Sequence, residues 1–365
     1  MVTFPLYNTK KLSSGKVYNL NDPTQRYAYF QAKIGDKIED LKNFLDNKTF
    51  VSFLVAKKSA GKGTYSKLFQ EIVGSDRVAL VSVGDVVRKV HKMIQDSPSY
   101  KDELLLYMEK SYRGVISMED AFNAFVNRDQ STLIPTEFIL ALLKREIDSI
   151  GKKAVFIDGF PRDFNQVSYS LYLRDLINYR DDPDFFVFID VPETVLDERM
   201  KTRVVCPLCN TSRSIKLLPT AFVRYDKSVA EGQEKGQSGY YLLCDNKECL
   251  GYGSSRLVSK EGDSAGIESI RGRLDTDGKL IDYATQIYGI PKVLIRNTIP
   301  LERSEEMAES YEITPMYSYE GAKGGEVVTK ESPWVFKDDV GVDSVSLLAA
   351  PVVVSMIDQI HAILL

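Results

Sequence analysis

The sequence predicts a doubly wound α/β fold built on a five-stranded parallel sheet. Three observations carry that expectation. Short runs rich in β-branched and aromatic residues recur at Val51–Ala56, Val78–Val83, Ala154–Asp158, Phe185–Asp190 and Lys292–Arg296. None alternates strictly between apolar and polar residues, as expected of parallel strands covered on both faces. Each is followed by a turn and a helical pattern, and strands alternating with helices imply helices on both sides of the sheet.

Five strands make a small sheet for 365 residues, so extensions and insertions must hold the surplus. Four stretches do so. Residues 1–50 precede the first strand and carry an expected helix over Ile38–Leu45. Residues 86–150 are long and mostly helical in pattern. Residues 204–266 are rich in Gly, Ser and Lys and contain all four cysteines. Residues 300–345, with Gly321, Gly324, Gly325 and Pro333, read as loop-rich. The C-terminal run Ser346–Leu365 reads as a buried helix rather than a membrane span, because Val353, Met356, Ile357, Ile360 and Leu364 recur at helical spacing.

Composition sets bounds on function. Apolar residues make up 44% and charged residues 27% of the chain, ordinary for a soluble globular protein. A net charge of −4 gives no support to nucleic-acid binding, which usually shows as a basic excess. The N-terminal stretch lacks the apolar core of a signal peptide. Two close cysteine pairs in a long chain point to a metal site in a reducing compartment, so the expected location is cytoplasmic.

The first strand runs into Ala56-Lys57-Lys58-Ser59-Ala60-Gly61-Lys62-Gly63-Thr64 and then an amphipathic helix. A loop between a strand and a helix N-terminus presents backbone N–H groups and a positive dipole end to phosphate. Lys62, expected to lie exposed in this loop, would reach the β- and γ-phosphates, with the Thr64 hydroxyl near Mg²⁺. The second and third strands end in Ser82-Val83-Gly84-Asp85 with Arg88, and in Asp158-Gly159-Phe160-Pro161-Arg162 with Gln166. Ligands of such sheets gather at the carboxyl ends of the strands, which brings these residues to the same crevice. Asp158 is placed to hold Mg²⁺ through water, and Arg88 and Arg162 supply forked donors suited to phosphate.

Cys206-Pro-Leu-Cys209 and Cys244-Asp-Asn-Lys-Glu-Cys249 form two compact thiolate pairs, for which a tetrahedral Cys₄ zinc site is the natural product. Four thiolates leave no open position, so the ion would be structural and would fold a polar insertion with little core of its own.

These motifs together resemble those of adenylate kinases, a P-loop nucleoside triphosphate hydrolase-like fold with a helical monophosphate-binding insertion and, in some members, a zinc-bound lid. The loop 56–64 resembles the family's phosphate-binding loop, departing from it at Ala56, Lys58 and Ser59. By that resemblance Ser59, Ala60, Gly61, Lys62, Gly63 and Thr64 bind ATP. Val83, Gly84 and Arg88 would grip the AMP phosphate, with Val83 standing where the family has threonine. Leu133-Ile134-Pro135-Thr136-Glu137 resembles the segment closing the monophosphate-binding insertion. In Asp158-Gly159-Phe160-Pro161-Arg162 with Gln166, the resemblance gives Gly159 and Arg162 to AMP and has Gln166 hydrogen-bond its adenine.

Asp190-Val191-Pro192-Glu193 through Glu198-Arg199 and Arg203 resembles the start of the lid, with Arg199 against the ATP adenine and Arg203 on its phosphates. Glu268-Ser269-Ile270-Arg271-Gly272-Arg273 resembles its end, which gives Arg271 and Arg273 to the AMP site and places Arg273, and more weakly Arg271, on the transferring phosphoryl group. A further lid arginine of the family lacks a counterpart, for which Lys260 or Arg256 stands in.

The implied organisation is an N-terminal extension packed on the core at 1–50, core with the phosphate loop at 51–85, the monophosphate-binding insertion at 86–150, core at 151–203, a zinc-ribbon-like lid at 204–266, and core again at 267–365 with an insertion at about 300–345. The implied activity is Mg²⁺-dependent phosphoryl transfer from ATP to AMP giving ADP. Lys62, Arg88, Asp158, Arg162, Arg203 and Arg273 would carry it, in a monomer without nucleic-acid or membrane partners. Two other readings remain open at this level. One keeps the reaction but takes CMP or UMP as acceptor. The other is a non-catalytic binder using its phosphate loop and zinc ribbon, motivated by Ala56 and Ser59.

Overall fold

A computed structural model describes residues 3–127, 134–179, 181–226, 239–260, 262–321 and 327–365. Leu133, Gly324 and Gly325 therefore lie outside the described residues. Helix α1 (Pro23–Leu45) opens with Asp22 accepting from the Gln25 N–H and with Pro23 in its first turn, so the expected helix over 38–45 is only its C-terminal part. Then come β1 (Val51–Ala56), α2 (Lys62–Val73), β2 (Val78–Ser82), α3 (Val83–Asp96), α4 (Pro98–Ser111), α5 (Met118–Val126) and α6 (Thr136–Ile150). They lead to β3 (Ala154–Asp158), α7 (Phe164–Leu176), β4 (Asp184–Asp190) and α8 (Glu193–Lys201). The run expected as a strand to Val83 stops one residue earlier, because the Ser82 hydroxyl accepts from the Asp85 N–H and starts α3.

Short strands follow in the cysteine-bearing lobe: β5 (Arg203–Val205), β6 (Ser212–Ser214), β7 (Val223–Tyr225), β8 (Tyr240–Leu242) and β9 (Val258–Ser259). Helix α9 (Arg271–Thr285) and β10 (Lys292–Arg296) return to the main sheet. The chain ends with β11 (Thr298–Pro300), α10 (Leu301–Met307), β12 (Pro315–Gly321), β13 (Val327–Pro333), β14 (Val335–Lys337), β15 (Asp343–Ser346) and α11 (Ala349–Leu364).

The main sheet has the order β10-β4-β1-β3-β2, and each pairing is parallel. Side chains alternate across it. Phe53 and Val55 face a core layer shared with α3–α7 and α9, while Leu54 and Ala56 face a layer shared with α1, α2 and α11. Val155, Phe156 and Ile157 are fully buried in sequence, which is why the strand reads as a continuous apolar run.

The tract 300–345 is not loop-rich. It holds a helix and five strands, with β12 and β13 paired antiparallel over seven residues and β11-β15-β14 forming a three-stranded sheet. The β12–β13 ribbon alternates Tyr317-Ser318-Tyr319-Glu320 and exposes much of its surface, so it has no apolar run to announce it.

This tract is joined to the N-terminal residues through Glu312. That buried carboxylate accepts from Tyr29 Oη at 2.6 Å, Thr9 Oγ1 at 2.6 Å and the Glu309 N–H at 2.7 Å, with Lys33 Nζ at 3.2 Å. A buried charge this fully partnered is tolerated; removing one partner would leave it uncompensated. Along α11, Val353, Met356, Ile357 and Ile360 are fully buried. Among the described residues no helix is long and apolar enough to cross a membrane.

Candidate active site

The carboxyl ends of β1, β2 and β3 meet at one side of a cavity of about 910 Å³. Its floor is the loop from β1 to α2. Ala56 is still a strand residue, in register with Ile189, so an ordinary extended conformation suffices where the family carries glycine. Ser59 is different: at φ 68 it holds the left-handed conformation that favours glycine, and its buried hydroxyl has no partner among the described residues. Gly61, at φ 97, precedes the first turn of α2. The loop is braced from outside by Asp277 on α9, whose Oδ2 accepts from the Lys58 N–H at 2.9 Å.

Lys62 does not stand exposed in the loop. It is the first residue of α2, and its side chain is 16% exposed because the ammonium folds back into the loop. Nζ donates to the Ala56 carbonyl at 3.0 Å and lies 3.9 Å from Asp158 Oδ1. Burial depresses the Lys62 ammonium below its usual range, with Asp158 and Asp277 opposing that shift. Burial raises the Asp158 carboxyl in turn, with Lys62 and Arg162 pulling it back. Each charge therefore opposes the shift that burial imposes on its partner in a partly dehydrated site.

Facing the loop across the cavity are Arg162, Arg199, Arg203 and Arg273. Arg199 Nη1 approaches the Ala60 carbonyl at 3.5 Å. Arg203 forks onto Asp263 at 2.6 and 2.8 Å. Arg273 lies 3.9 Å from Asp277. Arg271 takes another direction: it pairs with Glu193 and Glu268 and lies outside the cavity wall, its guanidinium pKa raised first by Glu268 and then by Glu193. Of the two stand-ins for the family's further lid arginine, Arg256 is engaged with the Tyr241 ring at 4.2 Å. The Lys260 charge instead acts, with Arg273 and Arg203, on the Lys58 ammonium, whose pKa is lowered first by burial and then by these cations.

Val83, Gly84, Arg88 and Gln166 lie beside the cavity rather than on its wall. Gly84 of this group, and Gly159 on the cavity wall, leave room for guanidinium groups. A Cβ on Gly84 would come within 3.3 Å of Arg88 Nη1 and 3.8 Å of Arg162 Nη2, and one on Gly159 within 3.0 Å of Arg162 Nη2. Arg88 is exposed and pairs with Asp85. The Gln166 amide bridges two elements, accepting from the Arg162 N–H at 2.8 Å and donating to Thr136 Oγ1 at 3.4 Å.

Sequence reasoning missed Asp263 and Asp277. Asp277 follows Arg273 by one helical turn, a spacing that signals a pair on one face. Asp263, in a stretch of Gly, Asp and Ser, gives no such signal. Lys58 also lines the cavity, as does Trp334, which is buried with its ring tilted against Phe336 at 4.8 Å.

In the cysteine-bearing lobe, the four sulfur atoms of Cys206, Cys209, Cys244 and Cys249 lie within 4.8 Å of one another. Two of the separations are 3.9 Å, Cys206 to Cys249, and 3.7 Å, Cys209 to Cys244. A tetrahedron with metal–sulfur bonds of about 2.3 Å has edges of about 3.8 Å, so the four thiols are compatible with one metal ion.

No family model matches the chain. Three curated relatives are all adenylate kinases. That of Thermotoga petrophila is 28% identical over 162 residues, 44% of this chain and 61% of the relative. That of Clostridium novyi is 30% identical over 46% of this chain and 64% of the relative. That of Mycoplasma mycoides is 25% identical over 63% of this chain and 84% of the relative. The chain thus spans somewhat less than two thirds of the first two, while its five-stranded parallel sheet is consistent with the P-loop fold that the sequence predicts.

Proposed function

We propose that this chain, which its matches support as a member of the adenylate kinase family, reversibly transfers the γ-phosphoryl group of ATP to AMP, giving two ADP. We place it in the cytoplasm as a monomer without nucleic-acid partners. The observation that carries the reading is the convergence of Lys62, Arg162, Arg199, Arg203 and Arg273 on one cavity, with Asp158 beside the lysine.

Phosphoryl transfer spreads negative charge over the transferring oxygens, so positioning and electrostatic stabilisation do most of the work. In this reading the N–H groups of 59–64 and Lys62 cradle the donor β- and γ-phosphates. Lys62 needs little reorganisation, because loop carbonyls already hold its ammonium. Arg199 lies against the donor base, and Arg203 and Arg273 close over the phosphates from the cysteine-bearing lobe and its return. Arg88 and Arg162 hold the acceptor phosphate over Val83, Gly84 and Gly159. Arg271, held by two carboxylates, belongs to the acceptor site only if substrate draws it inward. Mg²⁺ arrives with ATP as part of the substrate and offsets phosphate charge; Asp158 and the Thr64 hydroxyl are the groups that suit it.

Gln166 favours AMP as acceptor. With one lone pair committed to the Arg162 N–H, its amide retains a second lone pair and an N–H for the polar edge of adenine, a pairing uracil cannot reproduce. In the lobe, which acts as a lid, the four thiols would hold zinc, an ion that there supports folding and takes no part in the reaction.

Lys62→Met tests the reading. Turnover of ATP with AMP should fall ~10²-fold or more in a protein that still melts cooperatively, at a lower temperature because Asp158 loses its partner. Near-normal turnover in a folded variant would remove Lys62 from the reaction and the proposed mechanism with it.

A further inference from the structure

The lid is joined to the core by its own two chain connections, at β5 and beyond β9. It also touches a third element that the reaction does not call for. The β12–β13 ribbon leaves the core beside the cavity, its base formed by Pro315 opposite Pro333, with Thr314 and Trp334 on the cavity wall. It then runs along the lid. The Tyr317 N–H donates to the Lys216 carbonyl at 2.7 Å, and Tyr319 Oη donates to the Ile215 carbonyl. The Tyr319 ring packs on Tyr240 of β8 at 5.5 Å, and Tyr319 and Val327 both pack against the lid's small apolar cluster. Alternation along β12 puts Tyr317 and Tyr319 on one face and leaves Ser318 and Glu320 exposed.

The site of attachment matters. Ile215 and Lys216 directly follow Ser214, which is in register with Arg203 across β5 and β6. Ser214 is also 2.7 Å from Thr202 Oγ1, and the Ile215 N–H donates to the Thr202 carbonyl at 3.1 Å. Ser212, Ser214, Leu217 and Leu218 line the cavity. The ribbon therefore grips the lid segment that both walls the site and pairs with a phosphate-directed arginine.

From this geometry we infer that the β12–β13 ribbon is a third attachment of the lid, and that Tyr319 is a positioning residue holding the 212–218 segment and Arg203 over the donor phosphates. The inference rests on the kinase reading for the identity of the donor, and on contacts alone for the attachment. Opening the lid then requires the ribbon to move with it, or the Tyr317 and Tyr319 contacts to break. Either route disfavours the open state, which tightens donor binding and slows the opening that releases product.

Tyr319→Phe and Tyr319→Ala in the full chain test this. Amide hydrogen exchange in the nucleotide-free protein should quicken at Ile215, Leu217 and Leu218, by ~2- to 10-fold for the phenylalanine variant, which loses one hydrogen bond. In the alanine variant it should quicken further. With substrate, the alanine variant should show a several-fold higher KM for ATP, an unchanged KM for AMP and a kcat no lower than wild type. Wild-type exchange at those three amides in the phenylalanine variant overturns the inference even if the alanine variant fails to fold. So does a fall in kcat with KM for ATP unchanged. If exchange quickens but the wild-type protein makes no ADP from ATP and AMP, the attachment stands and the kinase reading fails.

Discussion

The helical segment α3–α6 and the cysteine-bearing lobe β5–β9, proposed here as the acceptor-side insertion and the lid, are held together by different physics. In the segment from α3 to α6, Leu104, Met108, Phe125 and Phe138 are fully buried, and Phe138 packs its ring against Phe125 at 5.1 Å and Tyr112 at 6.3 Å. That segment has a core. Among the described residues of the cysteine-bearing lobe, the buried cluster is Val223, Leu242 and Leu257 with three of the cysteines, and the strands are two or three residues long. So few apolar side chains cannot offset the ordering entropy of some fifty residues, which costs about 1–2 kcal/mol each for backbone alone. The contrast teaches where each region would have to find its stability: the helical segment in its apolar core, the lobe in a metal ion held by its four thiols and in its contacts with the β12–β13 ribbon.

Breaking the metal site should have the larger effect. Structural zinc contributes on the order of 10 kcal/mol in small zinc-dependent folds. Cys206→Ser, or removal of the metal by a chelator, should therefore abolish exchange protection throughout β5–β9 and depress activity. Protection of α3–α6 and cooperative melting of the main sheet should persist. Elemental analysis of wild type should give about one zinc per chain. Full activity and lid protection in metal-free protein would mean that the thiols are not what holds the lid.

The converse experiment is Phe138→Ala. Truncating a fully buried ring typically costs about 3–5 kcal/mol, and here the loss should appear in the melt equally with and without chelator. A Phe138→Ala protein whose destabilisation depends on metal would erase the distinction between the two regions.

A smaller and more selective effect should come from Gln166→Leu, since Gln166 bonds Thr136 at the start of α6 and so belongs to the acceptor side. An unpaired buried amide costs about 1–3 kcal/mol, or about 5- to 150-fold. Comparing kcat/KM for AMP, CMP, UMP and GMP should show AMP leading in wild type and that lead shrinking in the variant, with KM for ATP unmoved. Preference of the wild type for CMP or UMP would change the acceptor and leave the phosphoryl transfer in place.

Legibility in the sequence follows the same physical divide. The five core strands could be read because strands buried on both faces run as nearly continuous apolar stretches, as Val155, Phe156 and Ile157 illustrate. The four cysteines could be read from their spacing, because a tetrahedral site needs close pairs. The β12–β13 ribbon could not, since an exposed two-stranded ribbon needs no apolar run, and its Ser318, Glu320 and Lys330 resemble loop composition. At the site, Lys62 was legible as a residue type in a loop before a helix, but its burial was not, because that depends on carbonyls and on Asp158 from another strand. The braces Asp263 and Asp277 act from distant segments, and only the folded chain shows whom they meet.

In the proposed reaction one phosphoryl group passes between two nucleotides bound at the carboxyl ends of the core strands. Phosphorus NMR of the wild-type protein with Mg²⁺, ATP and AMP tests it most directly. The account predicts that ATP and AMP disappear in equal amounts, that two ADP form for each pair consumed, and that ATP alone stays intact. Release of inorganic phosphate in place of ADP, or no change with both nucleotides present, would contradict it.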